Sequence, residues 1–300
     1  MTNLIEIQGL TKDYSLTASN RKKKIKDAFV VDNVSFDVPK GYIMGFIGPN
    51  GAGKTTVIKL MLQIKKADKG RVRIFNEEGT HNNEHIGVVL DTPHFPVAWT
   101  VKQVEKALSP FYKEWDKARF AACLAKFDLD PKKTVHELSR GMQVKLQIAI
   151  ALSHNARLLI LDEPTSGLDP VARDEICELL QEFVEDGERS VLFSTHITSD
   201  LEKVADYITM ILDGRIHFSG SKESLMEKYA RVAGGTEEVP PALILGYRKH
   251  RSGFEGLVEK AHANRLPATV LTEAASLEEI IVFLNREAKR EGGEDNGKGN

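Results

Sequence analysis

Apolar residues recur along the chain in short blocks, and their spacing alternates between that of strands and that of helices. Residues 4–7 (LIEI) and 34–38 (VSFDV) alternate apolar with polar positions, which is typical of half-buried strands. The runs YIMGFIG, RLLILDEP and SVLFSTH are mostly apolar, which indicates strands buried on both faces. VIKLMLQI and VARDEICELLQEFVED have helical spacing and lie between these runs. Strands that alternate with helices predict an α/β fold with a mainly parallel sheet covered on both faces.

The same pattern divides the chain into a large domain and a small C-terminal unit. Residues 1–230 carry the alternating strands and helices, and within them residues 92–155 are helical in pattern, which predicts a helical subdomain. The composition changes to VAGGTEEVPP over residues 231–241, which is typical of a linker. Residues 242–288 predict a small strand–helix–strand–helix unit, in which GFEGLVEKAHAN and SLEEIIVFLNREAK are the helices. We expect the polar, glycine-rich residues 289–300 to be disordered.

Composition and charge exclude several classes of protein. The 300 residues include 41% hydrophobic and 28% charged side chains, as in an ordinary folded protein. The formal net charge of −2 provides no overall field that would attract nucleic acid. Cys123 and Cys177 are the two cysteines of the sequence, so a secreted disulfide scaffold is excluded. The N-terminal residues lack a signal-peptide pattern and no run of about 18 apolar residues occurs, so we expect no membrane span.

The segment GPNGAGKT fits the phosphate-loop pattern G-x-x-x-x-G-K-[ST], with a predicted strand before it and a predicted helix after it. Its glycines allow backbone N–H groups to surround a β-phosphate, and the N-terminus of the following helix adds positive potential. We expect Lys54 to reach the β- and γ-phosphates and the Thr55 hydroxyl to bind Mg²⁺. The sequence therefore predicts that ATP and Mg²⁺ are bound by the loop and the residue after it: Gly48, Pro49, Asn50, Gly51, Ala52, Gly53, Lys54, Thr55 and Thr56.

Two acidic residues and a histidine follow later strands of the predicted sheet. Asp162 and Glu163 come directly after the apolar run LLIL, and carboxylates in such a position need a partner such as a metal ion. We expect Asp162 to hold Mg²⁺ through water and Glu163 to polarise the attacking water. His196 follows the run SVLFST, and ligands of open α/β sheets bind at the carboxyl ends of the strands. We therefore predict that His196 contacts the γ-phosphate and holds the water together with Glu163.

The order of these motifs resembles that of the nucleotide-binding subunits of ABC transporters, over roughly residues 3–230. LSRGM (residues 138–142) is similar to the family's signature LSGGQ, and SGLD (residues 166–169) is similar to its D-loop. The resemblance implies the P-loop NTPase fold of an ABC cassette. Such a cassette has an N-terminal antiparallel β subdomain and a helical signature subdomain, to which this chain adds a small α+β C-terminal extension. The resemblance also implies an aromatic side chain stacked on adenine, and signature and D-loop contacts to ATP: Tyr14, Ser139, Gly141, Met142 and Asp169.

The resemblance implies a working cycle that needs two cassettes. Two chains, identical or close paralogues, pack head to tail, and each ATP is bound by the phosphate loop of one and the signature of the other. Hydrolysis lets the dimer open, and this movement is passed to integral membrane permease subunits. The single cassette and the C-terminal unit look most like the ATPases of bacterial exporters of drugs, lantibiotics and small peptides. We therefore expect a peripheral protein on the cytoplasmic face of the bacterial cell membrane.

Three positions depart from the pattern of the family. Asp91 stands where the family usually has a glutamine, and a carboxylate can still bind Mg²⁺ but adds negative charge near the γ-phosphate. We therefore expect Asp91 to change the Mg²⁺ dependence of hydrolysis rather than to abolish it. Arg140 and Met142 replace a glycine and a glutamine of the signature. Since Ser139 and Gly141 remain, we expect the contact with the partner's ATP to survive.

Two other functions share these motifs. One is a soluble ABC ATPase that acts on ribosomes or nucleic acid. Such proteins carry two cassettes in one chain or a long coiled coil, whereas this sequence has one copy of each motif and no sustained heptads. The other is a regulatory cassette that binds ATP without hydrolysing it, and the presence of both Glu163 and His196 opposes it. We expect membrane subunits as partners and no nucleic acid.

Three further segments have two interpretations each. The basic residues 21–26 form a solvated loop or a contact with anionic lipid headgroups. HNNEH (residues 81–85) matches a zinc-protease pattern, but the neighbouring Gly and Asn residues favour a turn. Aromatic residues of the predicted helical subdomain form its core or a groove for a helix of the membrane partner: His94, Phe95, Trp99, Phe111, Tyr112 and Trp115.

Overall fold

The computed structural model describes most of the chain: residues 2–16, 29–78, 83–90, 95–235 and 243–295. The chain forms two compact units, residues 1–216 and 217–300. Each unit has a buried apolar core of its own. Within the described ranges, none of the helices is both long enough and apolar enough to span a bilayer.

An antiparallel sheet begins the first unit. Its strands are β1 (Asn3–Asp13), β2 (Val30–Pro39), β4 (Lys69–Ile74) and β5 (Glu77–Glu78), in the order β2-β1-β4-β5. The two alternating segments predicted as strands lie within β1 and β2. Their inward side chains are buried in the core of the unit, where the ring of Phe36 stacks on that of Phe46 with centroids 5.3 Å apart.

A second sheet of six strands positions the residues expected to bind phosphate. Its strands are β3 (Ile43–Ile47), β6 (Ile86–Val89), β7 (Leu158–Asp162), β8 (Ser190–Thr195), β9 (Tyr207–Leu212) and β10 (Arg215–Ser221), in the order β10-β9-β3-β8-β7-β6. Neighbours from β9 to β6 pair in parallel, and β3, β7 and β8 are buried at every residue. Ile47 pairs with Thr195, and Asp162 with Ser194. The segments that follow β3, β7 and β8 therefore leave the sheet side by side.

Helices of the first unit follow the strands as the periodicity predicts. They are α1 (Lys54–Met61), α2 (Val101–Leu108), α3 (Lys117–Lys126), α4 (Arg140–Ser153), α5 (Pro170–Val184) and α6 (Thr198–Val204). The helices α2, α3 and α4 lie in the predicted helical subdomain. Thr100, Asp116, Ser139 and Asp169 begin α2 to α5, and each side chain accepts a hydrogen bond from a backbone N–H of the first turn.

The second unit is a four-stranded antiparallel sheet with helices. Its elements are α7 (Lys222–Lys228), β11 (Tyr229–Gly234), β12 (Leu245–Lys249), β13 (Phe254–Glu259), β14 (Leu271–Ala274) and α8 (Leu277–Asp295), and the strand order is β12-β13-β11-β14. Gly246 of β12 has a positive φ of 64°, and its N–H donates to Glu287 of α8 at 2.6 Å. A Cβ on Gly246 would lie 2.3 Å from the carbonyl oxygen of Phe283, so the close packing of β12 on α8 requires glycine.

The predicted linker over residues 231–241 does not match the structure, because residues 231–234 belong to β11. Arg231 forms ion pairs with Glu255 on β13 and with Glu273 on β14, so this part of the chain is held between two strands. YARVAG alternates as a strand does, but the Gly, Glu and Pro residues that follow it favour a linker.

Two other expectations for the second unit are wrong. GFEGLVE, expected to be the start of a helix, forms β13, since its residues pair with β11 and β12 and Leu257 and Val258 are buried. A 3₁₀ helix (Lys260–Arg265) follows it. The last helix continues to Asp295, although disorder was expected from residue 289. Residues 289–291 of this continuation are Lys, Arg and Glu, which are good helix formers.

Candidate nucleotide-binding site

The phosphate loop lies between β3 and α1 and has the backbone conformation that the motif requires. Gly51 and Gly53 have φ values of 85° and 111°, a region that side chains disfavour. A Cβ on Gly53 would also lie 2.8 Å from Cζ of Phe29. Because α1 begins at Lys54, the unpaired N–H groups of its first turn are available to a ligand in the loop. Loop and helix end therefore form a surface suited to phosphate groups.

Lys54 is buried with its ammonium inside the loop. Its Nζ donates hydrogen bonds to the carbonyl oxygens of Gly48 at 2.7 Å and Pro49 at 3.3 Å. Nζ also lies 3.3 Å from Oε1 of Glu163. Since the Lys54 side chain is only 6% exposed, these oxygens rather than water stabilise its charge. The ammonium is thus fixed where the phosphates of a nucleotide in the loop would lie.

Asp162 ends β7 and is buried beside the loop. Its Oδ1 accepts a hydrogen bond from Oγ of Ser194 at 3.1 Å, and the Thr55 side chain hydrogen-bonds to it as well. Burial raises the pKa of Asp162 above its ordinary value, because the carboxylate loses hydration. A buried carboxylate next to a hydroxyl is a set of hard oxygen donors, the kind that binds Mg²⁺.

Glu163 connects Lys54 to His196. The backbone of Glu163 has a φ of 53°, and its N–H donates to the carbonyl of Ser194 at 2.9 Å, so the turn after β7 is held against β8. Non-glycine residues in this region of φ are strained and persist where surrounding contacts fix them. Oε1 faces the Lys54 ammonium, and Oε2 lies 2.7 Å from Nδ1 of His196. A carboxylate and an imidazole so placed can polarise a water molecule next to a phosphate.

A cavity of about 350 Å³ adjoins this cluster. The described residues that line it were predicted from the sequence, except for Phe29. They are Phe29, Asn50, Gly51, Gly53, Lys54, Thr55, Thr56 and Glu163. Phe29 immediately precedes β2, and its ring stands over Gly53. An aromatic residue at the start of a strand has no distinctive sequence signal, so only the folded arrangement identifies it as part of the site.

Tyr14, the residue predicted to stack on adenine, has other contacts. Its hydroxyl accepts a hydrogen bond from Nζ of Lys65 at 3.0 Å, and the same ammonium lies 4.9 Å from the centre of its ring. The backbone N–H of Tyr14 donates to the carbonyl of Phe29 at 3.3 Å. Tyr14 and Phe29 are therefore close in space through a backbone hydrogen bond, and Phe29 is the one that lines the cavity.

The signature packs against the D-loop. Ser139 begins α4, and its Oγ accepts a hydrogen bond from the N–H of Met142 at 3.3 Å. Gly141 packs beside the D-loop and the start of α5, since a Cβ on it would be 3.6 Å from Leu168 and 3.5 Å from Ala172. Of the described residues that line the cavity, none belongs to the signature. The structure thus places the signature residues together and apart from the cavity lining.

Asp169 closes the D-loop and begins α5. Its Oδ1 accepts hydrogen bonds from the backbone N–H groups of Val171 and Ala172, both at 3.0 Å. The hydrogen bond from Ala172 is the main reason that the pKa of Asp169 is lowered, since it stabilises the carboxylate. At neutral pH, Asp169 is therefore a charged helix cap.

Comparison with known proteins decides the family. Residues 31–166 match the family described as ABC transporter. A bacitracin transport ATP-binding protein of Enterococcus faecalis is 34% identical over 225 residues, which cover 72% of this chain and 68% of that protein. The chain belongs to the ABC transporter family. A lantibiotic transport ATP-binding protein of Streptococcus pyogenes is 32% identical to this ABC ATPase over 204 residues, 67% of this chain and 88% of that protein.

Among solved structures, an ATP-binding subunit of an ABC transporter superposes on this chain with a TM-score of 0.63 and 25% identity. The match covers 74% of this chain and 91% of that one. The predictions of an ABC cassette, of ATP binding and of ATP hydrolysis coupled to transport are confirmed by these relatives. The relatives do not support the alternative function on ribosomes or nucleic acid.

Several predictions for this ABC ATPase fall outside the described residues. Asp91, the basic residues 21–26 and His94 are among these. Of the HNNEH segment, Asn83–His85 is described and forms a single 3₁₀ turn, and the ring of His85 meets that of Phe75 edge-on at 6.3 Å. The roles proposed for Asp91 and for the basic segment therefore stay predictions.

The aromatic residues of the helical subdomain divide into two groups. Tyr112 stacks on His154 with ring centroids 4.0 Å apart, and Trp115 packs on Phe120 at 5.4 Å, so these residues build the subdomain core. Phe111 is 76% exposed and Trp99 is 38% exposed. Phe111 is the aromatic side chain with the largest exposed fraction in the described chain, and a groove for a helix of the membrane partner stays a prediction.

Proposed function

We propose that this ABC ATPase drives the export of a drug, a lantibiotic or a small peptide from a bacterial cell. The contact network that carries the proposal runs from Lys54 through Glu163 to His196, beside the phosphate-loop cavity. It brings a phosphate-binding cation, a carboxylate base and an imidazole into one cluster. The names of the relatives, which refer to bacitracin and lantibiotic transport, support the class of substrate.

In this proposal the loop and Lys54 bind the phosphates of ATP. Backbone N–H groups of the loop and of the first turn of α1 contact the β-phosphate, and the Lys54 ammonium bridges the β- and γ-phosphates. The carboxylate of Glu163 now holds that ammonium at 3.3 Å, so phosphate oxygens compete with Glu163 for the same cation. Binding of ATP would therefore release one carboxylate oxygen of Glu163 towards the attacking water.

Thr55 and Asp162 are suited to hold Mg²⁺. The two side chains are hydrogen-bonded to each other, and the buried Asp162 carboxylate lacks the hydration that would balance its charge. A divalent cation supplies that balance and neutralises phosphate charge when bound. Asp91 is the third ligand that the sequence predicts.

Glu163 and His196 then act on water and phosphate. Glu163 accepts a proton from the attacking water, and His196 orients the water and contacts the γ-phosphate. The hydrogen bond of 2.7 Å between them fixes the imidazole relative to the carboxylate. Phe29 lines the cavity and its ring lies next to Gly53, which supports it as the contact for the adenine ring, whereas Tyr14 is the residue that the family pattern favours.

Two copies of the cassette, or this chain and a close paralogue, would form the complete site. Ser139, Gly141 and Met142 bind the ATP held by the phosphate loop of the partner, and Asp169 keeps the D-loop beside the signature. The start of α4 supplies a second helix N-terminus for the γ-phosphate. The packing of Gly141 on the D-loop supports a role for both segments at one interface.

The exposed aromatic residues would contact the membrane subunits. Phe111 and Trp99 lie in the helical subdomain and present apolar surface that a helix of a permease could cover. Through this contact the ATPase would sit on the cytoplasmic face of the membrane as a peripheral protein.

Deletion of the gene and complementation in its host tests the proposal. We expect the deletion to lower the minimal inhibitory concentration of at least one compound in a panel of peptide antibiotics and drugs. Wild type should restore resistance, whereas a folded Lys54→Ala variant should not. Sedimentation of the protein with ribosomes instead of membranes, together with unchanged resistance, would contradict the proposal and favour the alternative function.

A further inference from the structure

We infer that Arg173 and Asp200 form a positioning pair that sets the place of His196 relative to Glu163. The inference rests on the role of His196 in the proposed function. Neither Arg173 nor Asp200 reaches the phosphate-loop cavity lining, and neither belongs to a motif of the sequence. They join the helix that follows the D-loop to the helix that follows His196.

The pair has the geometry of a fixed ionic contact. Arg173 lies in the first turn of α5 and Asp200 in the first turn of α6. Nε and Nη2 of Arg173 both donate to Oδ1 of Asp200, at 3.2 and 2.5 Å, and Nη2 also donates to Oγ of Ser199 at 3.1 Å. The planar guanidinium thus binds two successive residues of α6 and fixes the direction of its first turn.

The position of His196 depends on that turn. His196 lies between β8, which is held by parallel pairing on both sides, and α6, which has only seven residues. The N-cap of α6, Ile197, makes no side-chain cap hydrogen bond. A short helix without a side-chain cap gains little stability on its own, so tertiary contacts determine where it lies. At 2.5 Å, the Arg173–Asp200 contact is slightly shorter than the ion pair of Lys203 with Asp174, at 2.6 Å, which joins the same two helices.

The carboxylate of the pair is buried, so the direction of its contact with Arg173 matters. Asp200 is 4% exposed, and Leu201 beside it is fully buried. Burial raises the pKa of Cys177, one turn along α5, to about 11. A buried ion pair gains little net stability over an apolar pair of similar volume, and its main effect is to favour one arrangement. Here the favoured arrangement fixes α6 against α5.

Arg173 also contacts the D-loop, through its backbone. The backbone N–H of Arg173 donates to the carbonyl of Asp169 at 3.0 Å, in the first turn of α5. Arg173 therefore connects Asp169, at the end of the D-loop, with the turn that carries His196. A displacement of α6 by about 1 Å would move the imidazole away from Glu163, and misplacement on that scale lowers a rate by up to about 100-fold.

The two helices also offer a matched control. Lys203 of α6 forms an ion pair with Asp174 of α5 at 2.6 Å, and their side chains are 59% and 54% exposed. This pair joins the same helices through the residue that follows Arg173 and a residue about one turn after Asp200, but solvent screens it. Removing it with Lys203→Gln should leave α6 in place and the turnover number unchanged.

Steady-state ATP hydrolysis by the full chain tests the inference in two backgrounds. The double variant Arg173→Gln/Asp200→Asn removes both charges without leaving one buried alone. We expect its kcat to fall about tenfold with KM for ATP changed by less than about twofold. In a His196→Ala background, the same double change should lower kcat by less than about twofold, because a residue that acts through His196 has nothing left to position.

Equal fold losses in both backgrounds would overturn the inference and leave a general structural role. Thermal unfolding of each variant is measured beside its kinetics to check that it folds. If the double variant does not fold, Arg173→Lys replaces it. This variant keeps the charge but cannot form the full set of contacts, so we expect a loss in kcat of about threefold that is again absent with His196→Ala.

If His196→Ala by itself leaves kcat unchanged, the proposed role of His196 is wrong and the inference fails with it. If His196→Ala lowers kcat but the losses are additive, only the inference fails.

Discussion

At the scale of single residues, the site depends on the Glu163 carboxylate, which contacts both Lys54 and His196. Glu163 accepts contacts from the Lys54 ammonium and the His196 imidazole through different oxygens. Asp162, the adjacent residue, points into a different environment, with Ser194 and Thr55 as partners and a pKa raised by burial. Two neighbouring carboxylates thus acquire separate tasks from their surroundings, one beside a cation for phosphate and the other suited to a metal ion.

Phe29 provides a prediction at this scale. Stacking of a base on an aromatic side chain contributes about 1–3 kcal/mol, so Phe29→Ala should raise KM for ATP about tenfold. Tyr14→Ala removes a ring that contacts Lys65 and should raise KM by no more than about twofold. The measurement is the ATP dependence of hydrolysis by both variants. A larger rise for Tyr14→Ala than for Phe29→Ala would show that the family position, and not the cavity residue, contacts adenine.

The residues of the site differ in how far the sequence predicts them. Lys54, Asp162 and Glu163 lie in motifs that include their own strand or helix, so periodicity and spacing identify them together. Phe29 and Tyr14 are separated by a long polar segment, so sequence spacing does not decide which ring faces the loop. Arg173 and Asp200 lie in ordinary amphipathic helices, and only the way α5 and α6 pack brings their charges together.

At the scale of elements, the signature and the D-loop form one packed block. The Arg140 side chain lies over Gly167, with Cδ 3.5 Å from the position that a Cβ on this glycine would take. On the other side of the block, Gly141 contacts Leu168 and Ala172. Because the two segments pack side by side, we expect a movement of the signature towards a nucleotide to displace the D-loop as well.

Gly167→Ala tests this block. Gly167 has a φ of 75°, so alanine costs about 1 kcal/mol in backbone strain and also contacts Arg140. We expect a small fall in melting temperature and a loss of most ATP-dependent dimerisation. Gly187→Ala is the control, since Gly187 has a φ of 69° and no atom near its Cβ position. It should lose similar stability and still dimerise, and equal dimerisation of both variants would contradict the role of the block.

At the scale of the whole molecule, the buried parallel strands of the first unit could be predicted better than the boundaries in the second unit. The continuous apolar runs identified β3, β7 and β8, and their parallel pairing brings Gly48, Glu163 and His196 to one edge, as predicted. The second unit was less predictable. Its strands are short and carry glycine, and β11 is held by ion pairs of Arg231 that composition does not reveal. Local signals there favoured a linker and a helix, and tertiary contacts overrode them.

The central claim is that two cassettes complete each ATP site, with Glu163 as the base. The most direct test measures the size of wild type and of Glu163→Gln by light scattering with and without Mg-ATP, together with hydrolysis rates at several protein concentrations. We predict that Glu163→Gln is a dimer only with Mg-ATP and hydrolyses at least about 100-fold more slowly. The wild-type rate per chain should rise with concentration. Hydrolysis by a wild type that stays monomeric, at a rate per chain independent of concentration, would contradict the account.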